Sequence, residues 1–438
     1  MKRLLACFSA TFFALAFNMA ASAQGLEIEI NKGNAAATPI AVVPMEYVGV
    51  GALPETDVAA VIRGDLNRSG AFNALSETDV IERPQRFADV NFATWRLLRQ
   101  DFLVVGRMLD APEGGYRVEF ELLDVAKQEP MLRLALSGRS GNLRDVAHQV
   151  ADKIYEKILG VRGAFWTRIA YVTATGLGQN IQYALMVADS DGHNPQTVVR
   201  SREPLLSPAW SPDGQRLAYV SFERGNSSIY IQEITTGARE AVASFRGING
   251  APSFSPDGSR LALTLSRSGN PEIHIMDLGS RALTQITRHW GIDTEPTWTP
   301  DGREILFTSD RSGKPQIYRV SAAGGEAQRV TSSGEYNARV TVCCDGKKIA
   351  VAQGGGNVYR IAVFDRTFGE PGQVSVLSPG NLDESPSFAP NGSMVLYASR
   401  EGKRGVLYAV SADGRVRQRL VLADGDVREP AWSPFRQR

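Results

Sequence analysis

The sequence predicts an α/β N-terminal domain followed by an all-β six-bladed propeller of four-stranded blades, closed by the C-terminal strand, and three observations carry this prediction. The stretch Pro208-Ala209-Trp210-Ser211-Pro212-Asp213-Gly214 recurs as Pro252 to Gly258, as Pro296 to Gly302 and, with Asn391 for the aspartate, as Pro386 to Gly392. Asp213, Asp257, Asp301 and the Asp345 of a degenerate copy follow one another at intervals of 44 residues, a period that belongs to repeat architectures. Apolar second strands begin near Ile169, Leu217, Leu261, Ile305, Ile349 and Val395, which makes six blades. The first of these has no Pro-x-Trp strand ahead of it, and the final Pro430-Ala431-Trp432 has no strand behind it. The last strand is therefore expected to complete the first blade, which removes the open edges of the array.

In chain order, Met1 to Ala23 has the pattern of a secretory signal: Lys2 and Arg3, an apolar run from Leu4 to Phe17, and Ala21-Ser22-Ala23 before the cleavage point. Beyond it, no stretch approaches the ~20 apolar residues that a membrane helix needs. Expected divisions are 1–23 signal, 24–34 N-terminal arm, 35–162 α/β domain and 163–438 propeller. Leu26-Glu27-Ile28-Glu29-Ile30 alternates apolar and acidic residues with the period of a strand. Two readings stand for it: an edge strand of the next domain, or a mobile arm that adds itself to a partner's sheet.

Pro39 to Met45 reads as a buried strand, and a helix is expected from about Glu55 to Leu66 with Thr56 as its cap. Asn91 to Arg99 reads as a second helix, the segments around 101–108, 116–122 and 131–136 as a meander, and Leu143 to Leu159 as a last helix. From Phe165 the repeat takes over. Ser-Pro-Asp-Gly suits a type I turn, with the proline φ preset at the second position and an aspartate at the third, so the repeated aspartates are explained by turn geometry.

Charge is balanced, with 48 Lys and Arg against 47 Asp and Glu, so no global field favours nucleic acid or an anionic membrane. Past the signal, the cysteines are Cys343 and Cys344, neighbours that stand where other copies have Ser-Pro; they either bridge each other or pack as small hydrophobes. No nucleophile elbow, phosphate loop or zinc spacing is present, and His148, His193, His274 and His289 are scattered. No catalytic residue, cofactor or metal is expected. What remains is the ring of loops entering the inner strands, including Gly247 to Ala251, Gly291 to Glu295, Asn381 to Ser385 and Val427 to Glu429. These carry more acid than base, which suits a protein or peptide presenting Lys, Arg or backbone donors. Glu295 and Glu429 have an alternative employment in pairing with neighbouring blades. Two rival functions are a propeller hydrolase or lyase using Glu295, Asp383 or Glu429, and a carbohydrate-binding module of the cell envelope.

Signal, α/β domain and six blades in this order resemble the TolB family, the periplasmic component of the Tol-Pal cell-envelope system. The stretches that carry the resemblance are Pro39 to Met45, Gly163-Ala164-Phe165 before Thr167 to Val172, Leu206 to Gly214, Thr294 to Trp298 and Pro430 to Pro434. The resemblance implies a periplasmic, non-enzymatic adaptor that supports outer-membrane integrity during cell division. It implies binding of the lipoprotein Pal at the channel mouth, mapped onto Ile248, Ala251, Thr294 and Glu295, and the loop residues Asn249, Asp383, Glu384 and Glu429 join them as candidates. It implies binding of TolA through the mature N-terminus, mapped onto Leu26, Glu27, Ile28, Glu29, Ile30, Asn31, Lys32 and Gly33, which favours a releasable arm there. Colicins, which use the same channel in that family, and other outer-membrane-associated proteins are further partners it implies.

Overall fold

The computed structural model describes residues 27–30, through their backbone alone, and residues 37–367, 372–380, 382–420, 422 and 425–437. The expected signal and the arm positions Leu26, Asn31, Lys32 and Gly33 lie outside the described residues.

The α/β domain is built on one mixed sheet in the order β4 (Phe72–Ala74), β2 (Thr38–Val42), β5 (Phe102–Asp110), β6 (Tyr116–Asp124), β7 (Glu129–Gly138), with β3 (Glu46–Tyr47) pairing β5. Strand β2 runs parallel to both β4 and β5, and β5 to β7 form the expected antiparallel meander. Helices α1 (Val58–Arg68) and α3 (Leu143–Leu159) cover one face, burying Ile62, Leu66, Val146, Val150 and Ile154 against Val104 and Val118. Leu103 and Val105 point the other way, toward Trp95 of α2 (Phe92–Leu97). Central β5 is therefore apolar on both faces.

Two helix bounds differ from the sequence expectation. Helix α1 starts later than Glu55, and its cap is Asp57 rather than Thr56: the Asp57 carboxylate accepts the Ala60 N–H at 2.9 Å, and its charge suits a helix N-terminus. Helix α2 is shorter than expected because Arg99 takes a positive φ of 55°, which a helix cannot continue through. Helix α3 has the expected bounds and closes on Gly160, whose left-handed φ of 73° lets its N–H reach Glu156 O at 2.9 Å.

Six blades follow. Blade 1 contains strands Arg168–Thr175, Gln182–Asp189 and Gln196–Ser201, and its innermost strand is the C-terminal Asp426–Trp432, paired antiparallel with Trp432 opposite Ile169. Blades 2 to 6 have inner strands Leu205–Trp210, Asn249–Phe254, Asp293–Trp298, Tyr336–Val342 and Glu384–Phe388. The ring closes as expected.

At each motif turn the aspartate is used locally. Asp257 Oδ1 accepts from Ser255 Oγ at 2.5 Å and from Ser259 N at 3.1 Å; Asp301 does the same with Thr299 and Arg303. The motif tryptophans tie blades together: Trp210 Nε1 donates to Ala431 O of blade 1 at 3.0 Å, and Trp298 Nε1 to Ser253 O of blade 3 at 3.1 Å. In blade 5 the turn keeps its backbone bond from Gly346 N to Cys343 O at 2.9 Å, and Cys343 Sγ and Cys344 Sγ are 3.7 Å apart as free thiols.

Strand β1 (Glu27–Ile30) is an edge strand, but of the propeller rather than of the adjacent sheet. It pairs antiparallel with the outermost strand of blade 6, Val416–Leu420, setting Glu27 opposite Arg419 and Glu29 opposite Arg417.

Candidate binding site at the channel mouth

Each inner strand carries a bulge in its pairing, and the residue at that bulge has a left-handed backbone: Ser207, Ala251, Glu295, Arg339, Ser385 and Glu429, all with φ between 46° and 57°. The bulge turns these side chains into the channel, where they line a cavity of about 340 Å³. The six positions are equivalent ones, one per blade. Two are acids and one is a base.

Arg339 sits between the acids. Its Nε lies 3.2 Å from Glu295 Oε1, and its Nη1 lies 3.0 Å from Glu429 Oε1 and donates to Ser385 Oγ at 2.5 Å. Glu295 Oε2 also accepts from Arg339 N at 3.0 Å and Thr308 Oγ1 at 2.9 Å, while Glu429 Oε2 accepts from Ser207 N at 3.2 Å. Burial opposes the Arg339 charge, but attraction to Glu429, Glu295 and Glu384 outweighs it and holds its pKa above the ordinary range. This is the pairing between blades that the sequence reading left open for Glu295 and Glu429.

Above the acids lies an apolar arc. Ile248, Ile292, Tyr336 and Leu382 occupy equivalent rim positions of four consecutive blades; Ile248 is 49 % exposed, Ile292 46 % and Leu382 39 %. Trp290, two residues before Ile292, is 76 % exposed. The rim backbone is fixed: Ile248 N donates to Ser266 Oγ and Ile292 N to Asp310 Oδ1, both at 2.7 Å. Gly247 is required there, since its φ is 88° and a Cβ would lie 2.3 Å from Ser266 Oγ.

The candidate residues separate into two groups. Ile248, Ala251, Thr294, Glu295, Glu384 and Glu429 border the mouth or its lining, and Glu384 opens into a side cavity of about 250 Å³ with Tyr336, Tyr359 and Arg400. Asn249 and Asp383 are fully buried and spend their polar atoms inside the protein. Asn249 Oδ1 accepts from Phe245 N at 2.8 Å, and Asp383 Oδ1 from Ser399 Oγ at 2.5 Å. Both side chains brace the loops that frame the mouth. Arg339, Tyr336 and Trp290 escape the sequence reading, yet adding the 44-residue interval to Glu295 and Ile292 reaches Arg339 and Tyr336.

Among the described residues one cluster has metal-ligand proximity: Asp65, His148 and Asp191, with ligand atoms within 4.8 Å of one another. It lies between the domains, away from the mouth, and its carboxylates are committed to Arg68 and Arg144, which compete with any cation.

Fold and mouth together define a two-domain β-propeller protein whose channel opens through a ring of bulged strands with an apolar rim. Residues 155–436 match the TolB beta propeller domain and residues 26–131 the TolB amino-terminal domain. The Tol-Pal system protein TolB of Xanthomonas oryzae pv. oryzae is 72 % identical over 426 residues, covering 97 % of each chain, and that of Xanthomonas campestris pv. campestris is 71 % identical over the same share. The crystal structure of TolB from Acinetobacter baumannii is similar with a TM-score of 0.84 at 43 % identity, over 94 % of this chain and 100 % of that one. The chain belongs to the TolB family, the periplasmic component of the Tol-Pal system. Among the described residues no helix is long and apolar enough to cross a membrane.

Proposed function

We propose that this protein is a non-enzymatic adaptor that binds Pal at the channel mouth and TolA through its N-terminal arm, and so supports outer-membrane integrity during division. The observation that carries the Pal side is the apolar arc of Ile248, Ile292, Tyr336 and Leu382 standing over the recessed acids Glu295 and Glu429. An exposed, rigid apolar patch with recessed acids is what a protein partner with an apolar anchor and a basic or backbone-donor tip requires. The hydrolase reading is less well supported, because the oxygens of Glu295 and Glu429 are held by Arg339, Thr308 and backbone N–H groups and neither stands free as a base.

On the TolA side, Leu26 to Gly33 is the segment the partner takes. Backbone groups of Glu27–Ile30 are paired with Val416–Arg419. A partner that takes the same backbone edge must first draw the strand off blade 6. Docking on blade 6 and capture of that edge by TolA are then mutually exclusive. Pull-down with purified Pal and TolA tests both halves: deleting residues 26–33 should abolish TolA capture and leave Pal capture measurable. Unchanged TolA capture by the deletion would overturn the arm assignment.

A further inference from the structure

Between the two domains lies a largely buried cluster of charges with His193 at its exposed margin. From the α/β domain come Asp65 and Arg68 on α1 and Arg144, His148 and Asp152 on α3; from blade 1 comes the turn carrying Asp189, Asp191 and His193. His148 is 1 % exposed, and its two ring nitrogens face two carboxylates on two different domains. Nδ1 lies 2.7 Å from Asp65 Oδ2. Nε2 lies 3.8 Å from Asp191 Oδ2 and has no hydrogen-bond partner.

A neutral imidazole carries one N–H, so one of the two carboxylates would face a ring lone pair in a buried site. Only the imidazolium offers an N–H to both. We propose that His148 is held as the imidazolium and acts as a charged bolt between the α/β domain and the propeller, so that the junction loosens when this proton is lost.

The surrounding charges fit this assignment. Arg68 bridges Asp65 Oδ1 at 3.1 Å and Ser190 Oγ of the propeller at 2.8 Å, and Arg144 pairs with Asp191, which His193 also approaches at 3.3 Å. Asp145, the remaining acid at this end of α3, is taken by Arg436 at 2.7 Å. Asp152 accepts from Phe165 N at 2.8 Å, and burial pushes its pKa up to about 6. Burial is the largest influence on His148 and opposes its charge; attraction to Asp65, the hydrogen bond with it and attraction to Asp191 outweigh burial and the nearby Arg68. The folded pKa therefore lies above the ordinary 6.5. A group raised in this way stabilises the junction fully below 6.5, and that contribution disappears as the pH climbs through the folded value.

The junction also reaches the arm. Gly70, just beyond α1, packs so closely on blade 6 that a Cβ there would lie 2.9 Å from Val416 Cγ2, and Val416 is the register partner of Ile30. Loosening α1 removes support from the strand on which the arm is docked.

The test uses the full mature chain. Nitrogen NMR of the imidazole, assigned against His148→Gln among the 4 histidines, should show both ring nitrogens protonated at neutral pH and a midpoint above 6.5. Spin labels at Leu97→Cys and Leu177→Cys, in a background with Cys343→Ser and Cys344→Ser, report the interdomain distance from about pH 6 to about pH 9. That distribution should broaden with rising pH in the otherwise native chain and lose most of this dependence in His148→Gln, where Asp152 still titrates at the lower end of the range. If His148→Gln does not fold, Asp191→Asn serves instead: it removes the acid facing Nε2 and should move the His148 midpoint downward. A neutral His148 ring at pH 6.5, or an interdomain distance that ignores pH in the native sequence, would overturn the proposal.

Discussion

Arg339 of blade 5 reaches past blade 6 to place its Nη1 3.0 Å from Glu429 Oε1 of blade 1, while its Nε holds Glu295 of blade 4 at 3.2 Å. One side chain thus joins strands that are 90 residues apart and sets the charge of the channel lining. Replacing it with Met keeps the bulk and removes the charge, leaving two recessed carboxylates without a counterion. The expected cost is about 2–4 kcal/mol in urea unfolding, at the lower end if water reaches the acids. The same change made in a Glu295→Gln, Glu429→Gln chain should cost markedly less.

Docking of the arm on blade 6 makes a second prediction. Glu27 faces Arg419 across the strand pair, so Glu27→Cys with Arg419→Cys should cross-link on oxidation. In the oxidised chain TolA capture should be lost and Pal capture kept, with full recovery on reduction. Equal TolA capture in both redox states would show that the arm is not drawn off the blade.

The motif turns make a third. Ser255 is fully buried, and its hydroxyl donates to Asp257 and accepts from Arg260 N at 3.0 Å. Ser255→Ala should cost about 1–2 kcal/mol, measured by thermal or urea unfolding. The Ser255 hydroxyl, followed by the Ser259 N–H, lowers the Asp257 pKa to about 2 from its ordinary 3.8. Its stabilising effect is therefore present above 3.8 and lost as the pH falls through about 2. Carbon NMR of the Asp257 carboxyl in Ser255→Ala should show that loss moved to higher pH.

Blade 5 supplies the complementary test. Cys343, 3 % exposed, stands where the turns of blades 2, 3 and 4 have Ser211, Ser255 and Thr299, and its thiol is a weak donor and acceptor. Cys343→Ser should bring Asp345 and the Lys348 backbone into the bonding that Ser255 makes, and raise stability by up to about 1 kcal/mol. A destabilised variant would mean that the thiol's packing outweighs the lost bonds.

The ring was legible in the sequence because a fixed interval leaves local marks: Pro212, Asp213 and Gly214 form a turn wherever they fall, and the half-blades at Arg168 and Trp432 announce their own pairing. Helix α3 was legible because Val146, Val150 and Ile154 keep one face dry and Gly160 ends it. Arg339 was hidden because blade 5 has Val340 where the others have proline, so the motif that marks the bulge is absent there. The partner of Glu27–Ile30 was hidden for a different reason: alternation shows that a strand has two faces, and nothing local selects an edge almost four hundred residues away. Burial of Asn249 and Asp383 is likewise a property of the folded loop, since polar residues beside a rim look alike in sequence whether they point out or in.

Calorimetric titration of Pal into the native chain and into an Ile248→Asp, Ile292→Asp variant tests the central claim most directly. Both residues are exposed, so each change should alter stability by no more than about 0.5 kcal/mol. Placing two charges in the apolar arc should weaken Pal binding by about tenfold or more while unfolding curves stay superimposable. Native affinity in the folded double variant would contradict a Pal site at this rim.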